Sequence, residues 1–480
     1  MQFNSLVFLI FLPVVFLLYW QLMRWRRWQT ALLVMASYVF YGWWDWRFLG
    51  LIFLTSLLSY GSGLLMERLA DYRRRQRQVC AVNVTLNLLI LGVFKYFNFF
   101  AENLLWLLGW MGLKTDWVTL NVVLPVGISF YTFQALSYTI DVYRGTIRAT
   151  HDVVAFFAYI SFFPQLVAGP IERASRLLPQ FAQSRRFDYG QAVDGCRQML
   201  WGFFKKMVIA DNCAVVVDMA WAGYGAESAP VLLVGALLFT FQIYCDFSGY
   251  SDIAVGCARL FGISLMRNFD YPYFAQNIGD FWRRWHISLM TWLRDYVYIP
   301  LGGNRQGTAR TLRNIFVVWA ISGLWHGAAW NFVGWGLYHA LLLCLWRLAM
   351  GSKRRRQGGG LAGTVLTFAL VVVGWVIFRA PTLGDAMGYL HHLCDGSLLH
   401  PAQAMMALGM LPSAFATAVG GIVVMLVCEW RNRSKAHALE HIDCMVAGRI
   451  GALRYGFYVV MAMLTIALAG SQSAFIYFQF

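Results

Sequence analysis

From Asn277 the sequence reads NIGDFWRRWHISLMTWLRDYVYIPLGGNR, and after a basic interval and an apolar run the region closes on SGLWHGAAWN at Asn331. Polar and ionisable residues are dense here although the chain around them is mostly apolar. Ionisable side chains inside apolar segments are energetically expensive and therefore indicate a functional site. We take residues 277–331 as the central stretch, on which the interpretation of the chain depends.

The composition around this stretch is that of a membrane protein. Of 480 residues, 59% are hydrophobic and 13% are charged, whereas about a quarter of the residues in a soluble domain are charged. The apolar segments predict an all-α, polytopic integral membrane protein with about 10–12 transmembrane helices plus re-entrant or interfacial helices. We expect a single membrane domain over residues 1–480, with its catalytic core at about residues 120–350.

The net charge of +16 is explained by basic loops on one side of a membrane rather than by a nucleic-acid partner. The basic residues cluster in short loops between apolar segments, as they do on the cytoplasmic side of membrane proteins. The clearest basic loops are residues 24–28, 68–77, 353–356 and 431–435. If these loops are cytoplasmic, both termini lie on the outer face, the partner of the chain is the lipid bilayer, and no nucleic acid is expected.

His326 is the candidate general base. It stands between Gly323 and Gly327 in an apolar setting, where desolvation disfavours the imidazolium and leaves a ring that accepts a proton. The alternative is a hydrogen-bonded core histidine, with the glycine spacing serving only close helix packing. His286 is a second candidate, because it follows Trp285 in the most polar part of the stretch.

The arginines of the stretch are candidates for binding an anionic substrate or donor, since a guanidinium holds a phosphate in bidentate fashion. An amphipathic helix on the cytoplasmic leaflet, anchored by tryptophans, explains them equally well. The full set of substrate- or donor-binding candidates is Arg283, Arg284, Trp285, Arg294, Asp295, Asn304, Arg305 and Trp325.

Charged residues also interrupt apolar sequence outside the stretch. Asp246 and Asp252 lie in QIYCDFSGYSDIA, where an ion pair with an arginine of the central stretch and a catalytic role are both open. Lys205 and Lys206 either have a functional role or extend toward the membrane interface. The nine cysteines form no C-x-x-C pair, so neither a disulfide framework nor a metal site is expected.

Several longer segments resemble one family. They include ASYVFYGWWDWRF near Tyr38, LPVGISFYTFQALSYTIDVYRG at residues 124–145, FFPQLVAGPIER at 162–173, GWVIFRA near Arg379, and the central stretch itself. Together they resemble the membrane-bound O-acyltransferases (MBOAT), and among them the bacterial alginate O-acetyltransferase type.

The resemblance implies an enzyme of the bacterial inner membrane that moves an acyl group from a cytoplasmic thioester to a hydroxyl. Acetyl-CoA is the implied donor, no cofactor is bound, and periplasmic polysaccharide acetylation proteins are the implied partners. The family histidine matches His326, and a second polar position of the site matches His286. The two histidines are therefore expected to converge on one passage.

Three points remain open at this level. The related D-alanyl transferases of teichoic acid share RWH and LWHG-type motifs, so the acyl group and acceptor are not settled. The residues Phe475, Tyr477 and Phe480 resemble a tyrosine motif of that machinery, which makes Tyr477 a candidate acyl relay or, alternatively, part of a membrane anchor. A glycan-precursor transporter or flippase also requires intramembrane Asp, Arg and His, although the sequence has no internal repeat.

Overall fold

A computed structural model of the chain describes residues 1–113, 123–349, 359–399, 412–440 and 451–476. Within these ranges every regular element is a helix, so the predicted all-α class is confirmed. In chain order the α-helices are α1 Leu6–Gln21, α2 Arg26–Gly42, α3 Leu49–Arg68, α4 Arg73–Leu91, α5 Phe97–Trp110, α6 Ile128–Arg144, α7 Val153–Ser161, α8 Phe163–Leu166, α9 Ala174–Ala182, α10 Tyr189–Phe203, α11 Asp211–Ala222, α12 Ala229–Leu260, α13 Ile278–Arg284, α14 Ile287–Leu293, α15 Thr308–His326, α16 Trp330–Ala349, α17 Gly360–Arg379, α18 Leu383–His392, α19 Pro412–Arg431 and α20 Gly451–Ala467. Wider π-helical turns occupy Gly92–Tyr96, Phe204–Ala210 and Arg294–Tyr298.

The polytopic membrane character is confirmed by helices that are long and apolar enough to cross a bilayer. In the described part of the chain there are six by length and composition: Trp46–Arg68, Arg73–Trp110, Ala229–Leu260, Trp330–Ala349, Gly360–Arg379 and Pro412–Arg431. Leu6–Gln21 and Tyr455–Ala467 are apolar but shorter. The predicted 10–12 crossings, about 20 residues each, included segments of this shorter kind, and their number stays a prediction.

The outer surface is apolar, as contact with lipid requires. Leu361 is 82% exposed and Leu6 is 79% exposed, and both belong to apolar helices. Many further large apolar side chains on these helices are exposed, which is unfavourable in water and indicates an environment of lipid chains.

The described chain forms two compact units. The first consists of Met1–Ala192 with Cys257–Met266. In it, α6 is buried along nearly its whole length, and it begins after Gly127, whose φ of 77° is in the left-handed region. A Cβ at Gly127 would lie 2.7 Å from the carbonyl oxygen of Leu166, so both the backbone angle and the space require glycine.

The second unit consists of Val193–Gly256 with Arg267–Phe480, and it contains the central stretch. Here α15 and α16 form a tight hairpin. A Cβ added at Gly323 would lie 2.2 Å from the carbonyl oxygen of Phe332, and one at Gly336 would lie 2.2 Å from that of Trp319. The two backbones are therefore in contact, and this contact fixes the end of α15, where His326 lies, against α16.

Candidate active site

His286 lies at a break in the helical chain. Helix α13 ends at Arg284 and α14 begins at Ile287, and the φ of His286 is 45°. A left-handed conformation costs a non-glycine residue about 1–2 kcal/mol and persists only where the surroundings enforce it. Since His286 is 1% exposed, its packed surroundings enforce this conformation and hold the imidazole in a fixed direction.

The side chain of Asn268 is the anchor that fixes this imidazole. Its Oδ1 accepts hydrogen bonds from the backbone N–H of Ser288 at 3.2 Å and from Ser288 Oγ at 2.9 Å, while the Asn268 carbonyl accepts from the N–H of Ile287 at 2.9 Å. The Nδ1 atom of His286 is 3.1 Å from the same Oδ1. Because that oxygen is an acceptor, Nδ1 donates to it and Nε2 carries the lone pair.

Burial also decides the protonation state of this ring. Desolvation lowers the pKa of His286 to about 3, because the charged imidazolium is disfavoured away from water. His286 is therefore neutral over the whole physiological range, and its Nε2 atom acts as a hydrogen-bond acceptor.

His326 lies beside it at the last turn of α15. The ring centroids of His286 and His326 are 6.3 Å apart, and the ring of Trp325 lies 5.7 Å from the first and 5.0 Å from the second. The expected convergence of the two histidines, which are 40 positions apart in the sequence, is confirmed. Their chemical roles stay predictions.

Aromatic rings enclose the histidine pair. Phe247 packs edge-on against His286 at 4.7 Å, and Trp335 and Phe378 pack against His326 at 5.0 and 5.5 Å. Rings in these positions exclude water, and electrostatic interactions are stronger where water is excluded. The arrangement is suited to proton transfer and to stabilising a transient charge.

Sequence reasoning missed two residues near the pair. Asn268 lies outside the central stretch, and nothing in its local sequence indicates that it positions His286. No motif in the sequence marks His339, yet it is fully buried and accepts a hydrogen bond on Nδ1 from Trp282 Nε1 at 3.4 Å. Trp335 lies 5.1 Å from His339 and also contacts His326, so this third histidine belongs to the wall of the site.

The arginines of the stretch have local partners. Arg283 and Arg284 pair with Asp280 at 3.5 and 3.0 Å, and Arg294 pairs with Asp295 at 2.7 Å. Arg283 and Arg294 have exposed side chains. These pairs fit both interpretations of the arginines, and their role in binding a donor stays a prediction.

The remaining candidates divide between the surface and the core. Asn304 and Arg305 are exposed. Trp285 is buried and packs against Trp375 at 4.7 Å and Phe281 at 5.6 Å, so it supports the aromatic wall. Trp325 contacts the rings of both His286 and His326.

The two aspartates of α12 do form ion pairs, but the predicted arginine partner was wrong. The interpretation that the two lysines extend to the membrane interface was also wrong. Asp246 pairs with Lys206 at 2.7 Å, and Asp252 pairs with Lys205 at 2.5 Å, whereas an arginine of the central stretch was expected. The lysines do not extend to the interface: they are 2% and 7% exposed. The reason is that the π-helical turn Phe204–Ala210 is itself buried along nearly its whole length, so that both lysines find carboxylate partners inside the protein.

Tyr477 lies outside the described residues. The described chain ends at Ile476, and the ring of Phe475 lies 6.1 Å from that of Phe247, which itself contacts His286. Within the described ranges, no group of three or more His, Cys, Asp or Glu side chains has the arrangement needed to hold a metal ion.

Comparison with known proteins identifies the family. The model of the membrane-bound O-acyltransferase family matches residues 40–355, which is about two-thirds of the chain. The chain belongs to the membrane-bound O-acyltransferase family. This MBOAT protein is therefore an O-acyltransferase and a multi-pass membrane protein, and the transporter hypothesis is set aside. Asn268, His286 and His326 all fall within the matched range.

Relatives of this MBOAT protein are named for acyl transfer to alginate, peptidoglycan and teichoic acid. It is 44% identical over 384 residues to the probable alginate O-acetylase of Pseudomonas putida, covering 80% of this chain and 78% of the relative. It is 35% identical over 422 residues to the peptidoglycan O-acetyltransferase of Helicobacter pylori, covering 81% and 79%. Identity to the teichoic acid D-alanyltransferase of Bacillus subtilis is 27% over 281 residues, covering 54% and 69%.

Proposed function

We propose that this O-acyltransferase takes an acetyl group from a cytoplasmic thioester, acetyl-CoA, and passes it through the membrane for O-acetylation of an exported polysaccharide of the alginate or cellulose kind. The proposal rests on the alginate and peptidoglycan O-acetylating relatives, which align over most of the chain. The thioester is charged and does not cross a bilayer, whereas an acetyl group can be transferred at an enclosed site.

The observation that carries the proposal is the pair of histidine rings 6.3 Å apart inside an aromatic enclosure. His326 takes the proton of the accepting hydroxyl, whose oxygen attacks the thioester carbonyl carbon and forms the new C–O bond. The C–S bond then breaks, and the departing thiolate receives the proton from His326. This is general acid–base catalysis in which the base is regenerated.

Two neighbours assist this step in the proposal. The neutral His286 offers Nε2 as an acceptor for a donor group of the bound thioester, since the single proton of the hydroxyl goes to His326. The indole of Trp325 is a donor only, and it lies beside both rings, where its N–H stabilises the oxyanion of the tetrahedral intermediate. No cofactor or metal takes part in the proposed reaction.

The wider setting is part of the same proposal. We place the enzyme in the bacterial inner membrane with both termini on the outer face, as the basic loops indicate. Tyr477 is the proposed relay that receives the acetyl group from the histidine site, and periplasmic acetylation proteins carry the transfer to the polymer. Arg283, Arg284 and Arg305 are proposed to hold the phosphates of the donor.

The test supplies labelled acetyl-CoA to membranes that contain the wild type, His326→Ala or, as a matched control, His391→Ala on the exposed side of α18. General-base catalysis contributes about 10²–10⁴-fold, so label transfer should fall by that factor in His326→Ala and remain at the wild-type level in the control. Transfer that survives in His326→Ala contradicts the catalytic assignment.

Two further arms separate the parts of the proposal. Tyr477→Phe should abolish label on the chain itself and on the acceptor; full acceptor acetylation in this variant excludes the relay. A D-alanyl carrier thioester supplied in place of acetyl-CoA tests the alternative that the relationship to the teichoic acid D-alanyltransferase suggests. Transfer from that donor alone contradicts acetyl transfer.

A further inference from the structure

One buried lysine balances two carboxylates in the second unit. The Nζ atom of Lys206 is 2.7 Å from Asp246 Oδ1 and 2.9 Å from Asp211 Oδ1, and all three side chains are buried. One positive charge against two negative charges leaves an uncompensated carboxylate. Burial of such a charge is costly unless hydrogen-bond donors surround it.

The missing donors come from a segment more than 200 positions away in the sequence. Ser473 Oγ donates to Asp211 Oδ1 at 2.6 Å, and the backbone N–H of Ile476 donates to Asp246 Oδ2 at 2.7 Å. Lys206 Nζ in turn donates to the Ser473 carbonyl at 3.2 Å. Lys206, Asp211, Asp246 and Ser473 form the Lys206 cluster, and its charges are satisfied only with this segment in place.

The start of the same segment is held by backbone contacts. Asn212 Nδ2 donates to the carbonyl of Leu468 at 2.9 Å, and the N–H of Gly470 donates to the carbonyl of Met207 at 3.0 Å. A Cβ at Gly470 would lie 2.8 Å from the backbone nitrogen of Asn212, so only glycine allows this approach. Residues 468–473 are thus attached to the π-helical turn and the first turn of α11, and Ile476 is attached to α12.

The attached segment leads to the surroundings of the histidine pair. The ring of Phe475 lies 4.9 Å from Tyr250 and 6.1 Å from Phe247, and Phe247 packs on His286 at 4.7 Å. The next residue, Ile476, is bound to Asp246 on the same helix as Phe247. Phe475 and Ile476 are therefore both attached to the helix whose Phe247 contacts His286.

We propose that the Lys206 cluster is a buried latch that holds residues 468–476 against Phe247 and Tyr250, beside the histidine site, and that acetyl transfer requires this arrangement. This inference rests on the proposed function for its catalytic meaning. Lys206 and Asp246 are positioning residues, since they act through the segment they hold. A change that opens the latch lowers acetyl transfer while leaving donor binding intact.

The neighbouring ion pair provides the matched control. Lys205 and Asp252 lie on the same two elements as Lys206 and Asp246 and pair equally closely, at 2.5 Å. Lys205 also donates to Ser248 at 2.8 Å, and Gln198 donates to Asp252 at 2.8 Å. The bonds of this pair link α10, the π-helical turn and α12, whereas those of the Lys206 cluster link these elements to residues 468–476.

The latch is tested by the accessibility of a probe in the full-length chain. With Ile476→Cys as parent, membrane-permeant maleimide labelling is measured by mass spectrometry at residue 476. Removing one partner of a buried charge pair favours local opening, so Lys206→Met should speed labelling about tenfold or more, and Lys206→Arg should restore protection. Lys205→Met should leave the labelling rate of the parent unchanged.

The outcomes are distinct. If Lys206→Met is labelled at the same rate as the parent, the latch is overturned. If Lys205→Met accelerates labelling as much as Lys206→Met does, the latch is also overturned, because the protein has then loosened generally. If Lys206→Met yields no folded protein, Ser473→Ala replaces it. This variant loses the bond from Ser473 Oγ to Asp211 and the bond that Ser473 Oγ accepts from Lys206, so labelling should accelerate about fivefold or more; no acceleration there overturns the latch.

The kinetic arm separates the latch from the proposed function. Lys206→Met should lower kcat for acetyl transfer with an unchanged KM for acetyl-CoA, and Lys206→Arg should recover it. Loss of donor binding instead overturns the positioning role. If Tyr477→Phe keeps full acetylation, the relay fails, yet the labelling of residue 476 still decides whether the latch exists.

Discussion

Replacing Asn268 with alanine should show how far acetyl transfer depends on the orientation of the His286 ring, because the ring itself stays in the protein. The side-chain oxygen of Asn268 is shared by three buried donors: His286 Nδ1 at 3.1 Å, the Ser288 N–H at 3.2 Å and Ser288 Oγ at 2.9 Å. Asn268→Ala removes this acceptor from all three at once, while both histidines and the aromatic wall remain.

The magnitude follows from the donors that lose a partner. A buried donor left without one costs about 1–3 kcal/mol. The Ser288 hydroxyl lies 3.4 Å from His286 Nδ1, so these two groups can bond to each other, and that new bond draws the ring away from its original direction. The Ser288 N–H stays unsatisfied. We expect a loss of about 2–4 kcal/mol in the free energy of unfolding.

Acetyl transfer should fall by more than tenfold, because a small misplacement of a catalytic group costs up to about 100-fold. The Asn268→Asp variant keeps an acceptor for all three donors but adds a negative charge beside the imidazole. A neighbouring carboxylate favours the imidazolium, so the pKa of His286 should rise from about 3, and an acid limb should appear in the pH–activity profile.

The assay combines denaturant unfolding of the protein in detergent micelles with labelled acetyl transfer from acetyl-CoA. The control is Asn83→Ala in the first unit, where a buried Oδ1 accepts from Thr139 Oγ1 at 2.9 Å and from Asn87 Nδ2 at 3.1 Å. The control should lose stability without a selective loss of transfer. Full transfer in Asn268→Ala together with unchanged stability would refute the positioning of His286 by Asn268.

Three further predictions concern stability. Gly336→Ala should destabilise the chain by about 1–3 kcal/mol, because its Cβ would meet the carbonyl oxygen of Trp319. The control Gly61→Ala, where nothing lies within 4 Å, should stabilise the chain by about 0.4–1 kcal/mol. Equal effects of the two variants in thermal unfolding would contradict the tight hairpin. Burial raises the pKa of Glu172 from 4.5 to about 7, so the contribution of its proton to stability is lost as pH rises from 4.5 to 7. Glu172→Gln should remove this pH dependence and add about 3 kcal/mol to the free energy of unfolding at pH 8. An unchanged pH–stability curve in the variant would contradict the raised pKa. Since the pKa of His286 is lowered from 6.5 to about 3, its contribution is complete above pH 6.5 and lost as pH falls toward 3, and acid unfolding should be weaker in His286→Gln than in the wild type.

Much of the site could be predicted because its chemistry is local in the sequence. His286 and His326 stand out as ionisable groups in apolar surroundings. The glycines around His326 indicate close packing, which is confirmed at Gly323, where an added Cβ would lie 2.2 Å from the carbonyl oxygen of Phe332. Asn268 could not be predicted, since an asparagine in a loop carries no sign of its partner. The ion pairs of Lys205 and Lys206 were missed because the segment that carries the two lysines is buried on nearly all sides, and the residue pattern does not show which carboxylates of other helices meet it.

The sequence by itself determined the class of this protein: an all-α membrane chain with a polar centre, because apolar length and charge density depend on composition alone. It also determined the family, through motifs that run along most of the chain. Only the tertiary structure decided which residues meet, such as the two histidines 6.3 Å apart and the Lys206 cluster completed by residues 468–476. The physical reason is that buried charges and strained backbones are stabilised by partners far away in the chain, and those partners are brought into place by folding.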